Sequence, residues 1–148
     1  MYDFNYHRAT SLESAAEIYS QSEDPVYLAG GMTLIPTLKQ RLARPTDVID
    51  LGGVDGLSDV EQSAETLSIG SMTTHAAVAA NSAVSSLIPA LSALAGGIGD
   101  PHVRNKGTLG GSVANNDPAA DYPAALVGLD ATVVTTQREI PAEEFFVG

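Results

Sequence analysis

Up to Leu51 the chain alternates short apolar β-type runs with stretches of helical spacing, the pattern of parallel βαβ units. Tyr2 to Tyr6 reads as an opening strand. Thr10-x-x-Glu13 has the form of a capping box. Leu12, Ala15, Ala16 and Tyr19 then recur at helical spacing and predict a helix that buries this face and stops near Ser22. Val26 to Ala29 predicts a second strand, broken by Gly30-Gly31. Leu34 to Arg44 predicts a helix capped by Thr33, with Pro36 in its first turn and Pro45 at its end. Val48 to Leu51 supplies a third strand, so residues 1–55 are expected to form a small parallel βαβαβ lobe.

The pattern changes at Gly56. Leu57 to Glu61 and Thr66 to Ser71 predict two strands joined by a polar connection, hence an antiparallel pair. Helices are expected from His75 to Ala80, with Thr74 as cap, and from Ala83 to Ala95, ended by Gly96-Gly97. Thr108 to Val113 and Thr132 to Thr136 are further strand candidates. Residues 56–148 therefore read as a larger mixed or antiparallel lobe, and the whole as an α/β (α+β) protein. Phe145-Phe146-Val147 stands directly before Gly148, an apolar end that reads as a fragment truncated at its C-terminus, with further sequence covering the rings.

Composition narrows the function. The 148 residues are 44% apolar and 17% charged, enough to bury a core. Eighteen acids against seven bases give a net charge of −11, a field that disfavours nucleic acid and anionic membranes. Cysteine is absent, which excludes disulfides, thiolate zinc sites and iron–sulfur ligation by this chain. No basic-then-apolar leader opens the sequence, and a reducing cytoplasm suits it. The stretch from Thr66 to Gly99 lacks Asp, Glu, Lys and Arg, but Ser, Thr, His75, Asn81 and Pro89 interrupt it, so no membrane span is expected.

Familiar catalytic patterns fail. His7, His75 and His102 are too widely spaced for a local metal pair. Gly110-Gly111-Ser112-Val113-Ala114 lacks the final glycine of a nucleophile elbow. Gly97-Ile98-Gly99 is followed by Asp100-Pro101-His102, so there is no dinucleotide fingerprint of the G-x-G-x-x-G type, and no Walker lysine follows either glycine pair. Two glycine segments remain. Ala29-Gly30-Gly31-Met32-Thr33 lies between a strand and a helix, where it serves either as a phosphate cradle of backbone N–H groups or as a plain turn capped by Thr33. Arg104 to Asn115 holds Gly107, Thr108, Leu109, Gly110, Gly111, Ser112 and Asn115, small and polar residues that admit a ligand close to the backbone. Asp121 follows, either a carboxylate for sugar hydroxyls or a helix cap before Tyr122-Pro123. Two donor loops and a carboxylate suit a dinucleotide.

At these residues the sequence resembles the FAD-binding, or medium, subunit of the molybdenum hydroxylases, the group that includes carbon monoxide dehydrogenase and xanthine dehydrogenase. Ala29-Gly30-Gly31-Met32-Thr33, Thr73-Thr74-His75, and Val103 to Ser112 with Asp117-Pro118-Ala119-Ala120-Asp121 carry the resemblance, which extends over essentially the whole chain. It implies a two-lobed FAD-binding domain of the vanillyl-alcohol-oxidase type. By position, Ala29, Gly30, Gly31, Met32 and Thr33 with Thr108, Leu109, Gly110, Gly111 and Ser112 would meet the FAD pyrophosphate. Asp121 would meet the sugar hydroxyls, Asn115 would add a contact, and residues near Ile98 to His102 would approach the flavin ring.

The resemblance further implies an oxidoreductase subunit that takes electrons from 2Fe-2S clusters in an iron–sulfur subunit. A molybdenum-cofactor subunit feeds those clusters, and FAD passes the electrons to an acceptor. No catalytic side chain and no metal ligand is expected here, since the flavin carries the chemistry. Lys39, Arg41, Arg44, Arg104 and Lys106 flank the two loops and either offset local repulsion or belong to solvated helix faces. The competing readings are a non-redox nucleotide- or phosphate-binding module and a structural assembly subunit.

Overall fold

The computed structural model describes residues 1–146. Three parallel strands, β1 (Asn5–Arg8), β2 (Pro25–Leu28) and β3 (Asp47–Asp50), form a sheet in the order β1-β3-β2. The helices α1 (Leu12–Gln21) and α2 (Leu34–Lys39) connect them, as the alternating pattern requires. β3 is central and buried, with Val48 and Ile49 almost wholly removed from water. Complete burial of one such side chain contributes about 1.5–3 kcal/mol. Ile49 packs with Ala9 and Ala15, and Ile18, Leu51 and Val54 close around them.

Local details depart from the sequence pattern for identifiable reasons. β1 begins at Asn5 rather than Tyr2, because its register pairs Asn5 with Asp47 and the preceding Pro45 has no N–H to extend the ladder. The capping box of α1 is built from Ser11 and Ser14 rather than Thr10 and Glu13. Each serine hydroxyl accepts the other's backbone N–H at 3.1 Å. The helix buries Ala15 and packs Ile18 inward, leaving Leu12, Ala16 and Tyr19 exposed. Tyr19 instead stacks on Tyr27, with centroids 4.8 Å apart. α2 stops at Lys39, short of Arg44, because Arg41 turns left-handed (φ 60°) and Leu42 N–H returns to the Thr37 carbonyl. Thr33 makes no side-chain cap; its carbonyl accepts the Thr37 hydroxyl.

Beyond the sheet stand two antiparallel ladders, β4 (Val60–Gln62) with β5 (Leu67–Ile69), and β6 (Thr132–Val134) with β7 (Glu139–Pro141). Between them run α3 (His75–Ala80), α4 (Ser82–Leu87), α5 (Pro89–Gly97), α6 (Pro101–Lys106), α7 (Leu109–Asn115) and α8 (Asp121–Gly128); α9 (Ala142–Phe145) follows β7. The single helix expected from Ala83 to Ala95 is two. Pro89 lacks an N–H and restarts the helix after Ile88, while Asn81 caps the first part. Thr108 to Val113, expected as a strand, is the start of α7. The Thr108 hydroxyl accepts the Gly111 N–H at 3.1 Å and nucleates the turn.

Val78, Val84, Leu91, Ala95, Val113 and Tyr122 form the larger core. Phe145 and Phe146 lie half-buried against it, in edge contact with each other at 5.2 Å. Val147 and Gly148 lie outside the described residues.

A polar clamp joins β1 to β3. The Asp47 carboxylate accepts from Asn5 Nδ2 at 3.1 Å and lies 2.8 Å from His7 Nε2. Hydrogen bonds from Thr46 first, then His7, hold this carboxyl down to about 2 from an ordinary value of 3.8. Its stabilisation is therefore complete above the unfolded value and is lost as pH falls toward the folded one. Asp47→Asn is expected to lower the urea midpoint at pH 7 and to flatten the midpoint's decline between pH ~4 and ~2. An unchanged acid profile in the variant would remove this clamp from the account.

Candidate functional site

The site grows from three glycine-containing or small-residue segments that the fold brings into contact. Ser71 to His75 and Gly107 to Gly110 run antiparallel, bridged at Thr74 and Thr108. His75 N–H donates to the Gly107 carbonyl, Leu109 N–H to the Thr73 carbonyl and Gly110 N–H to the Ser71 carbonyl, at 2.9 to 3.0 Å. The loop after β2 packs onto this pair. A Cβ on Gly30 would overlap the Lys106 carbonyl oxygen and sit 2.8 Å from its carbon and 2.9 Å from Gly107 Cα. A Cβ on Gly111 would lie 3.4 Å from that of Ala29. The glycines here are required by protein against protein.

His75 braces the junction from below. It is buried, and a Cβ on Gly107 would come within 2.6 Å of its Nε2. Its Nδ1 faces the Tyr122 hydroxyl at 3.3 Å, which ties the junction to the larger core. Burial pushes the His75 pKa below its ordinary value and that of Tyr122 above its own. Both rings are neutral at neutral pH.

A cleft of about 660 Å³ opens where the two loops meet. It lies at the carboxyl ends of β2 and β3, the edge of a parallel sheet where ligands characteristically bind. Ala29, Gly30, Gly31, Met32 and Thr108 line it, joined by Lys39, Asp50, Gly52, Met72, Thr74, Asn105 and Lys106. Of the other residues singled out from sequence, Thr33 is exposed beside the cleft, and Leu109 packs on the larger core. Gly110, Gly111 and Ser112 are half-buried in the first turn of α7. Asn115 ends α7 and Asp121 begins α8, both exposed; none of these seven lines the cleft. Asp50 and Met72 had no motif to mark them. The signal available was that Asp50 ends a strand just before Gly52-Gly53.

The two loops differ in what they offer a ligand. In the second, the N–H groups of Leu109, Gly110, Gly111 and Ser112 all bind protein acceptors. In the first, the N–H groups of Gly30, Gly31, Met32 and Thr33 find no acceptor among the described residues. Gly31 takes φ 72°, a left-handed turn that glycine adopts without strain and that lets successive N–H groups point to one side. The first loop is thus an open donor set beside a cleft, suited to an anionic oxygen. Among the described residues no group of three or more His, Cys, Asp or Glu could hold a metal ion.

A parallel three-stranded sheet with a cleft at its carboxyl edge defines the class of fold, and comparison with known proteins identifies its family. Residues 2–148 match the model of the FAD binding domain in molybdopterin dehydrogenase, and the chain belongs to this family. It is 40% identical over 147 residues to the nicotine 6-hydroxylase medium subunit of Paenarthrobacter nicotinovorans, covering 97% of this chain and 52% of that protein. It is 31% identical to the xanthine dehydrogenase FAD-binding subunit of Escherichia coli O157:H7, covering 100% of this chain and 53% of that one. Among solved structures it superimposes on a carbon monoxide dehydrogenase from Hydrogenophaga pseudoflava that lacks the Mo-pyranopterin moiety of its cofactor. The TM-score there is 0.96 at 35% identity, over 99% of this chain and 53% of that chain. The chain spans about half the length of the curated relatives it matches.

Two outcomes test the junction. Gly30→Ala is expected to destabilise the fold by about 1–3 kcal/mol, because the Lys106 carbonyl is backbone and cannot swing aside. Gly97→Ala, with open space around its Cβ, should be neutral or mildly stabilising. Equal denaturation midpoints for the two variants would refute the close approach. For His75, held below its ordinary 6.5, stability is present above that value and declines as pH falls beneath it. His75→Gln should weaken that decline between pH ~7 and ~5, read from urea midpoints.

Proposed function

We propose that this chain is the FAD-binding electron-transfer component of a molybdenum-containing hydroxylase or dehydrogenase. The observation that carries the proposal is the open row of N–H donors from Gly30 to Thr33 at the cleft, in a chain of this family. When bound, FAD supplies reversible two-electron chemistry, accepting electrons and releasing them to an acceptor. The chain's own part is binding and exclusion. The first loop's N–H groups hold the pyrophosphate oxygens, and the Thr108 hydroxyl approaches from the facing segment. Ser112, Asn115 and Asp121 lie outside the cleft lining, on α7 and at the start of α8, and are assigned to the part of FAD that extends past it, Ser112 and Asn115 to polar contacts and Asp121 to sugar hydroxyls. In that assignment Leu109, Gly110 and Gly111 act by shaping the wall, since their N–H groups are already bound.

No cysteine is present, so electrons would arrive from 2Fe-2S clusters of a separate iron–sulfur subunit, supplied in turn by a molybdenum-cofactor subunit. A cytoplasmic setting belongs to the same proposal and is supported by the cysteine-free composition. No helix among the described residues is long and apolar enough to cross a membrane.

The test is flavin uptake. The chain incubated with FAD and freed of excess ligand by gel filtration is expected to carry visible flavin absorption. Gly31→Val is expected to abolish uptake, because at φ 72° its Cβ would meet Ile35 Cγ1 at 2.9 Å and distort the donor row. Asp121→Ala should weaken uptake without changing the circular dichroism. Tight binding of AMP or ADP with no FAD uptake would replace this reading with a non-redox nucleotide-binding module.

A further inference from the structure

The chain carries 18 acids, yet a cleft that takes a diphosphate must hold about two negative charges. The location of its cations decides how it does so. Arg41 and Arg44 place their guanidinium carbons over the Tyr2 ring, 5.5 and 5.1 Å from its centroid, and neither lines the cleft. Arg104 donates to the Ile98 and Gly99 carbonyls at 3.1 and 3.0 Å, where it fastens the turn before α6. Three of the five cations that flank the glycine loops in sequence are thereby occupied elsewhere.

The remaining two, Lys39 and Lys106, both line the cleft. They come from opposite sides of the loop junction. Lys39 ends α2, directly downstream of the open donor row. Lys106 ends α6, and its carbonyl is the one pressed against Gly30. Neither lies within ion-pair distance of a carboxylate among the described residues. The acid that shares the cleft, Asp50, is engaged: its Oδ2 accepts the Tyr6 hydroxyl at 2.5 Å and its Oδ1 the Gly52 N–H at 2.8 Å.

We propose that Lys39 and Lys106 form a two-sided ammonium clamp on the ligand's diphosphate, bridging the small parallel sheet and the α6–α7 junction through the bound anion. This rests on the FAD reading given above and deepens it. The backbone row supplies directional hydrogen bonds, while the lysines supply the charge that an otherwise acidic chain lacks. A lysine ammonium suits this role, being a compact point charge on a flexible stem rather than a planar fork. Both lysines are exposed, so the clamp is weak per residue and sensitive to salt.

The experiment titrates the full chain and its Lys39→Gln, Lys106→Gln and double variants with FAD, ADP and riboflavin, by flavin fluorescence or calorimetry, between low and moderate salt. Each single variant is expected to raise the Kd for FAD and for ADP about two- to fivefold at low salt. The double variant should lose most of the salt dependence that the unmodified chain shows. Riboflavin, which has no phosphate, should bind all four chains alike. Denaturation midpoints of the ligand-free variants should stay close to that of the parent, since neither ammonium has a partner in the described fold. Unchanged FAD affinity and salt dependence in the double variant would overturn the clamp and leave the FAD assignment standing. Failure of the unmodified chain to bind FAD or ADP at any salt overturns both. An equal loss for riboflavin and FAD would also overturn the clamp, because it would mean that the substitutions disturb the cleft itself.

Discussion

The contact between Gly30 and the carbonyl of Lys106 is the constraint on which the rest of the arrangement depends. Only a residue without a Cβ allows the loop after β2 to approach that carbonyl, and the approach brings the parallel sheet against the α6–α7 junction. The junction is itself fixed by the short ladder between Ser71–His75 and Gly107–Gly110. His75 fills the space that Gly107 leaves empty and reaches Tyr122, which is fully buried in the larger core. A continuous series of contacts thus runs from a surface loop to the core. The cleft has a defined wall because each step excludes a methyl group or satisfies a donor.

That series explains why similar glycine pairs behave differently. Gly30-Gly31 and Gly110-Gly111 look alike as sequence, each small, flexible and followed within two residues by a hydroxyl residue, Thr33 or Ser112. In the fold, Gly110 and Gly111 begin a helix whose N–H groups are met by Ser71, Thr108 and their neighbours. Gly31 is instead at a positive φ with no Cβ space to spare between Ile35 and Leu28, and the N–H groups around it remain open. Gly30 and Gly31 are half-buried and Met32 and Thr33 exposed, so their N–H groups stay open to solvent or ligand while those of the second loop are already bound; the difference lies in pairing, not in the glycine motif.

Much of the fold was legible in local pattern. The parallel sheet follows from strand and helix spacings up to Leu51, and the β4–β5 ladder from two short runs around a polar turn. What escaped depended on contacts distant in sequence. The start of β1 is set by Pro45, and the buried face of α1 by where Ile49 lies beneath Ala15. Residues 108–113 have strand-like composition, and two glycines argue against a helix by propensity. Packing of Gly110 against Ser71 and the Thr108 cap reverse that preference. The first donor loop could be read from its motif, but Asp50 and Met72 could not, since they reach the cleft only through sheet order and the turn after β5.

The same reasoning bears on how an acidic protein can present a site for an anion. Net charge acts over distances that salt screens to about 8–10 Å, whereas donors and ammonium groups at the cleft act within contact. The fold exploits this difference in range. Arg41 and Arg44 are held against an aromatic ring and Arg104 against carbonyls, where they serve structure, and the one acid lining the cleft is turned toward a tyrosine hydroxyl and a backbone N–H. The cleft lining thus sets two lysines against one engaged acid, although the molecule as a whole is acidic. In the proposed reading an anion that reaches the cleft would meet the N–H groups of Gly30 to Thr33, while the long-range field would act chiefly against large polyanions.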